Sequence, residues 1–408
     1  MVRLPRSTAL LVAVALTVPG AAGVPREPAA AATDAPRWRV DVRVLPAVGD
    51  ASAPVALLLD GSVVGNDATP DGSRAWLWSP AAGRRELPRA GAPYSRATAA
   101  ADSGMIVGQL GPASVLPAGG AVRWRRAGAP RPLVPDAAVP VEAQRVNNRG
   151  DALVVRPTAF LPTDVTLVTV DGTVTPLAPG GAPVQTGISL NDRREAVYSA
   201  LGAGASGAAY VWRDGVSAPL GARYVRLFPF PCVSRLTDTG FLAWSGVDPA
   251  GRPRFTAVLR HDDVETVLPD GGAASSEIAC TEDAVNDLGH VAGAVRTAPA
   301  APPEAVLWRG LRPPVALGTL PGGVGSQSVA VDDLDVVLAN SLDDAGTARP
   351  FLWLAGARVE LPVPAGFDRV TATLLNDRGQ AAGTAERLAP DGSVIQTRPV
   401  LWNPRPST

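Results

Sequence analysis

The stretch NDLGHVAG at residues 286–293 decides the fold, because it returns as NDRGQAAG at residues 376–383. Both stretches read Asn-Asp-x-Gly followed by small apolar residues, and weaker copies begin at residues 101, 147, 191, 237 and 332. From residue 101 onward the copies start 46, 44, 46, 49, 46 and 44 residues apart, and a degraded eighth copy (DGSVVG) occupies residues 60–65. We call this motif the anchor. Its regular period of about 45 residues is typical of a repeat architecture.

The anchor has the residue types of a tight turn between two strands. Asn and Asp side chains bond to nearby backbone N–H groups, and Gly accepts a positive φ. Four copies open with an Asn: Asn147, Asn191, Asn286 and Asn376. Arg194 and Asp335 replace the Gly in two copies. Since Arg tolerates the left-handed region poorly and Asp tolerates it better, we expect the turn near Arg194 to differ from the others.

Two further marks follow most anchors. About 20 residues on, an apolar strand ends in a Trp, and six of the nine Trp residues fall in this register: Trp78, Trp124, Trp212, Trp308, Trp353 and Trp402. About ten residues later comes a Leu that is often followed by Pro, as in Leu87-Pro88. We expect each Trp to fill the wedge between neighbouring sheets, where its N–H can reach a turn carbonyl.

The chain is predicted to be all-β, because its 42 Gly and 41 Pro residues are spread throughout and leave no room for long helices. A period of about 45 residues accommodates four short strands, the size of a propeller blade. We therefore predict a β-propeller of about eight four-stranded blades over residues 38–408. Seven blades is the alternative, because the copy at Asp60 is weak.

The last repeat lacks its Leu-Pro strand, since the chain ends at Thr408 soon after Trp402. A strand of that type without an anchor lies at the other end of the chain, at Trp38–Pro46. We predict that this N-terminal strand completes the last blade and closes the ring.

The N-terminus has the pattern of a signal peptide at residues 1–23, with Arg3 and Arg6 before an apolar run at residues 9–18 and small residues after it. Residues 24–37 are rich in Pro and Ala and are interpreted as a linker. No later segment holds 18 uninterrupted apolar residues, so we expect a secreted protein with no membrane span.

The repeat resembles the HAF-type extracellular repeat, whose pattern runs Asn-Asp-x-Gly-x-Val-x-Gly, then Phe-Leu-Trp, then Leu-Gly-x-Leu-Gly-Gly and a Ser. Here the second part is PFLW at residues 350–353 and the third is LGTLPGG at residues 317–323 with Ser326. The His-Ala-Phe tripeptide itself is absent. The resemblance implies a secreted, β-propeller-like repeat protein, and it implies no activity.

Few residues suggest chemistry. Cys232 and Cys280 precede successive anchors by five and six residues, so they occupy nearly equivalent strands of neighbouring blades, and we expect a structural disulfide. His261 and His290 are the only histidines, and His290 is interpreted as a repeat position. We expect no catalytic residue, no metal site and no cofactor, because no nucleophile elbow, phosphate loop or calcium-loop spacing is present.

The charge balance, 38 acidic against 37 basic residues, gives no electrostatic footprint for nucleic acid. We therefore expect a monomeric, non-catalytic binding or interaction module whose partner is an unidentified protein or glycan. The alternative is a propeller carbohydrate-active enzyme, a glycosidase or lyase, with two carboxyl groups about 5 to 10 Å apart in a central pocket. The sequence leaves catalysis undecided and favours its absence.

Overall fold

The computed structural model describes residues 38–112, 120–135, 141–156, 164–177, 184–201, 207–221, 232–247 and 254–407. The signal peptide and linker interpreted at residues 1–23 and 24–37 lie outside these residues and stay predictions. The described residues form eight antiparallel blades that follow one another along the chain, as predicted. The chain is therefore an eight-bladed β-propeller, the first of the two blade counts considered from sequence.

Four blades come from the first half of the chain. Their strands are β2–β5 in blade 1 (Ala51–Leu57, Val63–Thr69, Gly72–Ser79, Gly83–Glu86), β6–β9 in blade 2 (Tyr94–Ala100, Met105–Gly111, Gly120–Arg125, Arg131–Pro132), β10–β13 in blade 3 (Glu142–Val146, Ala152–Val155, Val165–Val168, Val174–Pro176) and β14–β17 in blade 4 (Val184–Leu190, Ala196–Leu201, Gly207–Arg213, Val216–Pro219). In each blade the first strand is innermost, and the anchor forms the turn to the second.

Three more blades follow. Their strands are β18–β20 in blade 5 (Leu242–Val247, Phe255–His261, Val264–Val267), β21–β24 in blade 6 (Ser275–Ile278, His290–Arg296, Glu304–Arg309, Val315–Ala316) and β25–β28 in blade 7 (Gly325–Val331, Val337–Leu342, Ala348–Leu354, Ala357–Glu360). A single bridge between Val233 and Trp244 takes the place of the innermost strand in blade 5. Blade 6 alone carries a 3₁₀ turn, Glu282–Ala284, among the described residues.

Blade 8 is built from both ends of the chain, which confirms the predicted closure. It contains β29–β31 (Arg369–Leu375, Ala381–Leu388, Val394–Pro406) together with β1 (Trp38–Val44). β1 pairs antiparallel with β31, from Trp38 opposite Pro406 to Val44 opposite Val400. We call this pairing the clasp. One parallel bridge pair, Ala51 with Thr397, also joins blade 8 to blade 1.

Leu45, which follows β1, takes the place of the Leu mark that the last repeat lacks. Its backbone N–H donates to the Pro399 carbonyl at 2.8 Å, just as Leu87 donates to the Ala75 carbonyl at 2.9 Å in blade 1. Leu45 is 1% exposed and Leu87 is fully buried. The clasp therefore supplies both the missing strand and the missing core side chain.

The core is divided among the eight junctions between neighbouring blades rather than gathered in one place. Within the described residues there are eight apolar clusters, and each combines side chains of two adjacent blades. The cluster that closes the ring joins Leu45 and Leu401 of blade 8 to Val63 and Trp76 of blade 1. Strands covered on both faces in this way explain the continuous apolar runs in the sequence.

The Trp marks lie at these junctions. Trp124, Trp308 and Trp402 are fully buried, and each donates from Nε1 to the carbonyl of the Pro that follows the Leu mark of the preceding blade. These bonds, to Pro88, Pro269 and Pro362, measure 2.8, 2.7 and 3.0 Å. Trp78, Trp212 and Trp353 are also buried. A single side chain thus fills the wedge and pins two blades together.

The turn at Arg194 corrects one expectation from the sequence, because it does not differ from the others. Arg194 adopts a φ of 67° and Asp335 a φ of 62°, close to the 74° of Gly289 at the same anchor position. Arg194 is held there by Asp151 of blade 3, whose Oδ2 accepts from Arg194 Nε at 2.8 Å. This ion pair with the preceding blade offsets the local cost of a left-handed Arg, and a single repeat does not display it.

Candidate functional site: the acidic mouth of the central channel

A central cavity of about 450 Å³ is lined by residues from all eight blades, so it lies on the axis of the ring. Its wall is formed by the ends of the innermost strands and the first residues of the anchors, such as Thr98–Asp102 in blade 2 and Thr373–Asp377 in blade 8. The repeat therefore brings the same anchor position of every blade to one opening, which we call the channel mouth.

The second anchor residue places a ring of carboxylates at this mouth. Six of the eight blades have Asp there, and Asn148 occupies the position in blade 3. In blade 1 the turn begins at Leu58, two residues before the stretch picked out in the sequence, so Leu59 occupies the position. We call these six the rim carboxylates: Asp102, Asp192, Asp238, Asp287, Asp333 and Asp377. All but Asp333 line the cavity directly.

Each rim carboxylate is fixed by the preceding blade. Its Oδ1 accepts from a backbone N–H of the preceding anchor, at distances from 2.5 Å (Leu59 N to Asp102) to 3.1 Å (Asp333 N to Asp377). Asn148 continues the series by accepting from Ser103 N at 2.9 Å. These bonds cross seven of the eight junctions and orient the carboxylates without neutralising them.

The rim carboxylates influence one another. Burial raises the pKa of Asp238, and the neighbouring charges of Asp192 and Asp287 raise it further. Burial likewise raises the pKa of Asp333, with Asp377 and Asp287 contributing in the same direction. Like charges held close together disfavour full ionisation. A positively charged group in the mouth would relieve this repulsion.

An ion pair crosses the cavity. Arg145 of blade 3 binds Glu282, which lies on the 3₁₀ turn of blade 6, across the ring. Beside it Arg235 Nη1 lies 3.4 Å from Asp283 Oδ1. Burial alone would lower the pKa of Arg235, but Asp283 and three rim carboxylates raise it. With six rim carboxylates, Glu282 and Asp283 set against two guanidinium groups, the mouth is predominantly acidic.

The four Asn residues singled out from the sequence all lie at the first anchor position, behind the rim. Their Oδ1 atoms accept backbone N–H groups of their own turns, for example Asp151 N for Asn147 at 2.9 Å. Their Nδ2 atoms donate to the first anchor carbonyl of the next blade, at 2.8 to 3.0 Å. They therefore join blades as well as shaping turns, a role that the repeat pattern did not reveal.

The structure joins Cys232 and Cys280 in a disulfide between blades 5 and 6, with their Cα atoms 4.6 Å apart. The first anchor residue of blade 5 is Thr237, which has no side-chain amide to donate to the carbonyl of the next blade. The disulfide therefore lies at a junction that lacks the Asn hydrogen bond. Cys280 lies two residues before Glu282, the first residue of the 3₁₀ turn. The disulfide therefore also fixes the segment that carries Glu282, the acidic partner in the ion pair across the cavity.

The two histidines lie away from any nucleophile in the described part of the chain. His290 Nδ1 is 2.5 Å from Asp335 Oδ1, and Arg309 Nε is 2.8 Å from Asp335 Oδ2. His261 stacks on Phe241 with ring centroids 4.0 Å apart. His290 and Asp335 form the same kind of junction contact as Asp151 and Arg194, between the fifth anchor residue of one blade and the fourth of the next.

Over the residues that the structure describes, no three carboxyl, imidazole or thiol groups are arranged to hold a metal ion. Within the same residues, no helix has the length and apolar character needed to cross a membrane. The chemistry available at the mouth is therefore that of fixed carboxylates, which attract ammonium and guanidinium groups.

Sequence reasoning missed the rim, although a signal for it was present. The recurrence of Asp at the second anchor position was explained as turn chemistry alone. A turn needs an Asx side chain at only one position, and the first position supplies it in Asn147, Asn191, Asn286 and Asn376. The repeated second Asp was therefore available for another role. The 49-residue spacing between residues 237 and 286, the longest in the chain, likewise marks the 3₁₀ turn.

No family model and no curated protein sequence matches this chain, so the resemblance to the HAF-type repeat stays a prediction. Among solved structures, Porphyromonas gingivalis dipeptidyl peptidase 4 is similar with a TM-score of 0.53 and 11% identity, covering 87% of this chain and 59% of that one. A puromycin-hydrolyzing peptidase of Mycobacterium tuberculosis gives a TM-score of 0.48 and 14% identity over 83% of this chain and 58% of that one.

The propeller domain of the trilobed protease from Pyrococcus furiosus gives a TM-score of 0.43 and 13% identity, covering 74% of this chain and 91% of that one. This chain thus spans about three fifths of the length of dipeptidyl peptidase 4. At such identities the likeness establishes the β-propeller fold.

The comparison also corrects the function expected from the sequence. A non-catalytic binding module, with a carbohydrate-active enzyme as the alternative, was expected because the repeat residues are structural. That prediction is wrong, because the similar solved structure with the TM-score of 0.53 is a peptidase, a catalytic protein. The anchor, Trp and Leu positions of the repeat are turn and core residues. They determine how the chain folds and carry no information about its function.

Proposed function

We propose that this chain acts in peptide hydrolysis, as a peptidase-type propeller whose channel mouth receives a positively charged group of the peptide. The ring of rim carboxylates around the central cavity carries the proposal. Each carboxylate is held through Oδ1 by a backbone N–H, and within the described residues the Oδ2 atoms of Asp238, Asp287 and Asp377 accept no hydrogen bond. These oxygens are preorganised acceptors for an ammonium or guanidinium group.

The size and position of the cavity agree with a peptide end as the ligand. Its volume of about 450 Å³ lies in the usual range for small-molecule sites and admits a few residues. The Arg145–Glu282 pair crosses the same cavity, which limits how far a peptide can enter. Dipeptidyl peptidase 4, the similar structure described above, is by its name a peptidase, which supports peptides as the substrate class.

The proposal assigns no described residue to bond cleavage. Neither His290 nor His261 contacts a serine hydroxyl or a thiol in the described part of the chain, so the geometry of a catalytic triad is not formed by them. What the structure supports is substrate reception: the rim fixes the cationic end of a peptide and thereby sets where the peptide extends.

Fluorescence anisotropy tests substrate reception with a hexapeptide that carries its label at the carboxyl end. We expect the free amino-terminal form to bind at least about tenfold more tightly than its acetylated form, and the affinity to fall as salt is added. Asp238→Asn with Asp287→Asn should abolish this preference, because Asn keeps the Oδ1 acceptor and loses the charge. Asp262→Asn is the matched control, since the Asp262 side chain is 85% exposed outside the channel.

Mass spectrometry of the same peptides after incubation measures hydrolysis, which the proposal predicts for free amino-terminal peptides over acetylated ones. Equal binding of the two peptides, or identical binding by the rim variant and the wild type, would show that the rim does not receive peptides. Absence of cleavage would overturn the role in hydrolysis, and absence of peptide binding would overturn substrate reception.

We also propose that the protein is exported, which residues 1–23 and the Cys232–Cys280 disulfide both support. Mass spectrometry of the protein recovered from outside the cell tests this, with a mature N-terminus near residue 24 as the expected result. An intact N-terminus on protein retained in the cytoplasm would contradict it.

A further inference from the structure

The first anchor residue sets how tightly each blade binds the next. At four junctions an Asn donates from Nδ2 to the first anchor carbonyl of the next blade, as Asn286 does to Asp332 at 2.8 Å. In the same side chain, Oδ1 accepts two N–H groups of its own turn, those of Leu288 and His290. One amide therefore satisfies its own turn with one atom and bonds the neighbouring blade with the other.

Asp332 of blade 7 has the same arrangement but carries a carboxyl group. Its Oδ1 accepts from Leu334 N at 2.9 Å and Val336 N at 2.7 Å, as an anchor Asn would. Its Oδ2 is buried and has no hydrogen-bond partner among the described residues, and the whole residue is 2% exposed. Oδ2 faces the blade 8 turn, 3.8 Å from where a Cβ on Gly379 would lie.

At the junctions that have an Asn, the first anchor side chain donates to the first anchor carbonyl of the next blade, as Asn286 does. The equivalent acceptor for Asp332 is the carbonyl of Asn376 in blade 8. That carbonyl accepts Gly379 N at 2.9 Å from its own turn. A carboxylate facing a carbonyl repels it, whereas a carboxylic acid can donate its O–H. The side-chain bond from the first anchor residue to the next blade is therefore available at this junction only when Asp332 is protonated, whereas the bond from Asp333 N to Asp377 remains in either state.

The charges around Asp332 are mostly negative. On its own turn are Asp333 and Asp335, and Asp335 is paired with His290 and Arg309 of blade 6. The blade 8 turn contributes Asp377 and the exposed Arg378, and the blade 6 turn contributes Asp287, whose N–H bonds Asp333. No cation in the described residues pairs with the Asp332 carboxyl.

We propose that the junction between blades 7 and 8 is a proton-operated seam in the ring: protonated Asp332 bonds blade 8, and its deprotonation loosens the junction beside the channel mouth. Burial, with the charges of Asp377 and Asp333 acting in the same direction, raises the pKa of Asp332 to about 7 against the opposing effect of the N–H groups of Val336 and Leu334. Because the folded-state pKa lies above the unfolded value, stability is fully present below about pH 4 and is lost as the pH rises through 7.

Asp332→Asn tests the seam, since Asn supplies a permanent donor at every pH. Hydrogen exchange, corrected for the intrinsic pH dependence, should show roughly tenfold lower protection at the Gly379 and Val336 amides of the wild type at pH 8.5 than at pH 5.5. The Asp332→Asn protein should show no such change, and its melting temperature should exceed that of the wild type at pH 8.5, by a difference that shrinks as the pH falls towards 4.

Three further variants keep the result interpretable. Asn376→Asp should create a second seam, with new pH-dependent exchange at the junction between blades 8 and 1. Asp262→Asn, an equal change of charge at an exposed site, should leave the wild-type pH profile unchanged. His290→Gln removes the nearby imidazole, and the effect of Asp332→Asn should persist in that background. The proposal would be overturned if the Asp332→Asn protein kept the wild-type pH dependence of hydrogen exchange. It would also be overturned if Asn376→Asp produced no pH-dependent exchange at the junction between blades 8 and 1.

Discussion

Asn376 donates from Nδ2 to the carbonyl oxygen of Leu58 across 2.9 Å, although 318 residues separate the two in the chain. Leu59, next to this carbonyl, is the one apolar residue of the rim position, so the junction between blades 8 and 1 lacks the carboxylate or amide acceptor that the other seven have. The Asn376–Leu58 bond, the clasp and the cluster around Leu45 hold that junction instead.

Removing the clasp should destabilise the whole ring. A chain that begins at residue 47 leaves β31 without its seven-residue partner and the cluster around Leu401 without the buried Leu45. We expect its melting temperature to fall by roughly 10 °C or more, or the protein to become insoluble. A chain that begins at residue 37 keeps the clasp and is the control. Equal melting temperatures by calorimetry would refute a structural role for β1.

Replacing Arg194 by Gly should lower stability, even though Gly suits a φ of 67° better. The Asp151 carboxyl, whose side chain is fully buried, would lose the Arg that hydrogen-bonds it. We expect the Tm to fall by roughly 3 to 6 °C, and Asp151→Asn in the same chain to recover most of the loss. Burial raises the pKa of Asp151, but Arg194, Val170 and Asn147 lower it more, so this stabilisation should vanish as the pH falls below about 4. Additive effects of the two substitutions would contradict the pairing.

Replacing Trp308 by Phe should cost about 1 to 3 kcal/mol in urea denaturation, because the Pro269 carbonyl loses its donor and a small cavity opens. Trp402→Phe should behave alike, since Trp402 bonds the Pro362 carbonyl at 3.0 Å. Trp353→Phe should lower the free energy of unfolding by less. Trp353 packs under Arg309, with 5.6 Å between the guanidinium carbon and the ring centroid. Equal losses in all three would show that the carbonyl bonds contribute nothing.

Removing the disulfide by changing both Cys232 and Cys280 to Ser should lower the free energy of unfolding. The two residues are 48 apart in sequence, and closing a loop of that length is worth about 4 kcal/mol in the chain-entropy estimate. Denaturation with and without a reductant measures the effect, and mass spectrometry of a non-reduced digest shows whether Cys232 and Cys280 are joined. A wild type indifferent to reductant would contradict a stabilising bridge.

The number of blades and the clasp were predictable because they depend on residues that every repeat must supply. A turn needs Asn, Asp or Gly, and a wedge needs a large side chain such as Trp308, so these marks recur at the blade period. Even the missing Leu strand could be located, since Leu45 is the same mark displaced to the other end of the chain. Local physics at fixed spacing is what a single sequence displays well.

The rest depends on which residues of different blades meet. Arg194 gives an ordinary turn only because Asp151, 43 residues earlier, pairs with it. Asp332 differs from an anchor Asn by one atom, and its consequence follows only once Oδ2 is seen to be buried without a partner. The channel mouth was missed for the same reason, because a ring of carboxylates exists only after the repeats have been arranged around an axis.

The clasp also fixes the order in which the molecule can be assembled. β1 is synthesised before every other described strand, yet its only ladder partner, β31, is synthesised after all of them. While the blades between form, β1 presents an open edge that could pair with a foreign strand. The last step of folding is therefore the joining of two chain ends, a loop closure whose large contact order makes it slow. A chaperone that shields β1 during folding would be expected to raise the yield of native protein more than one that shields any interior blade.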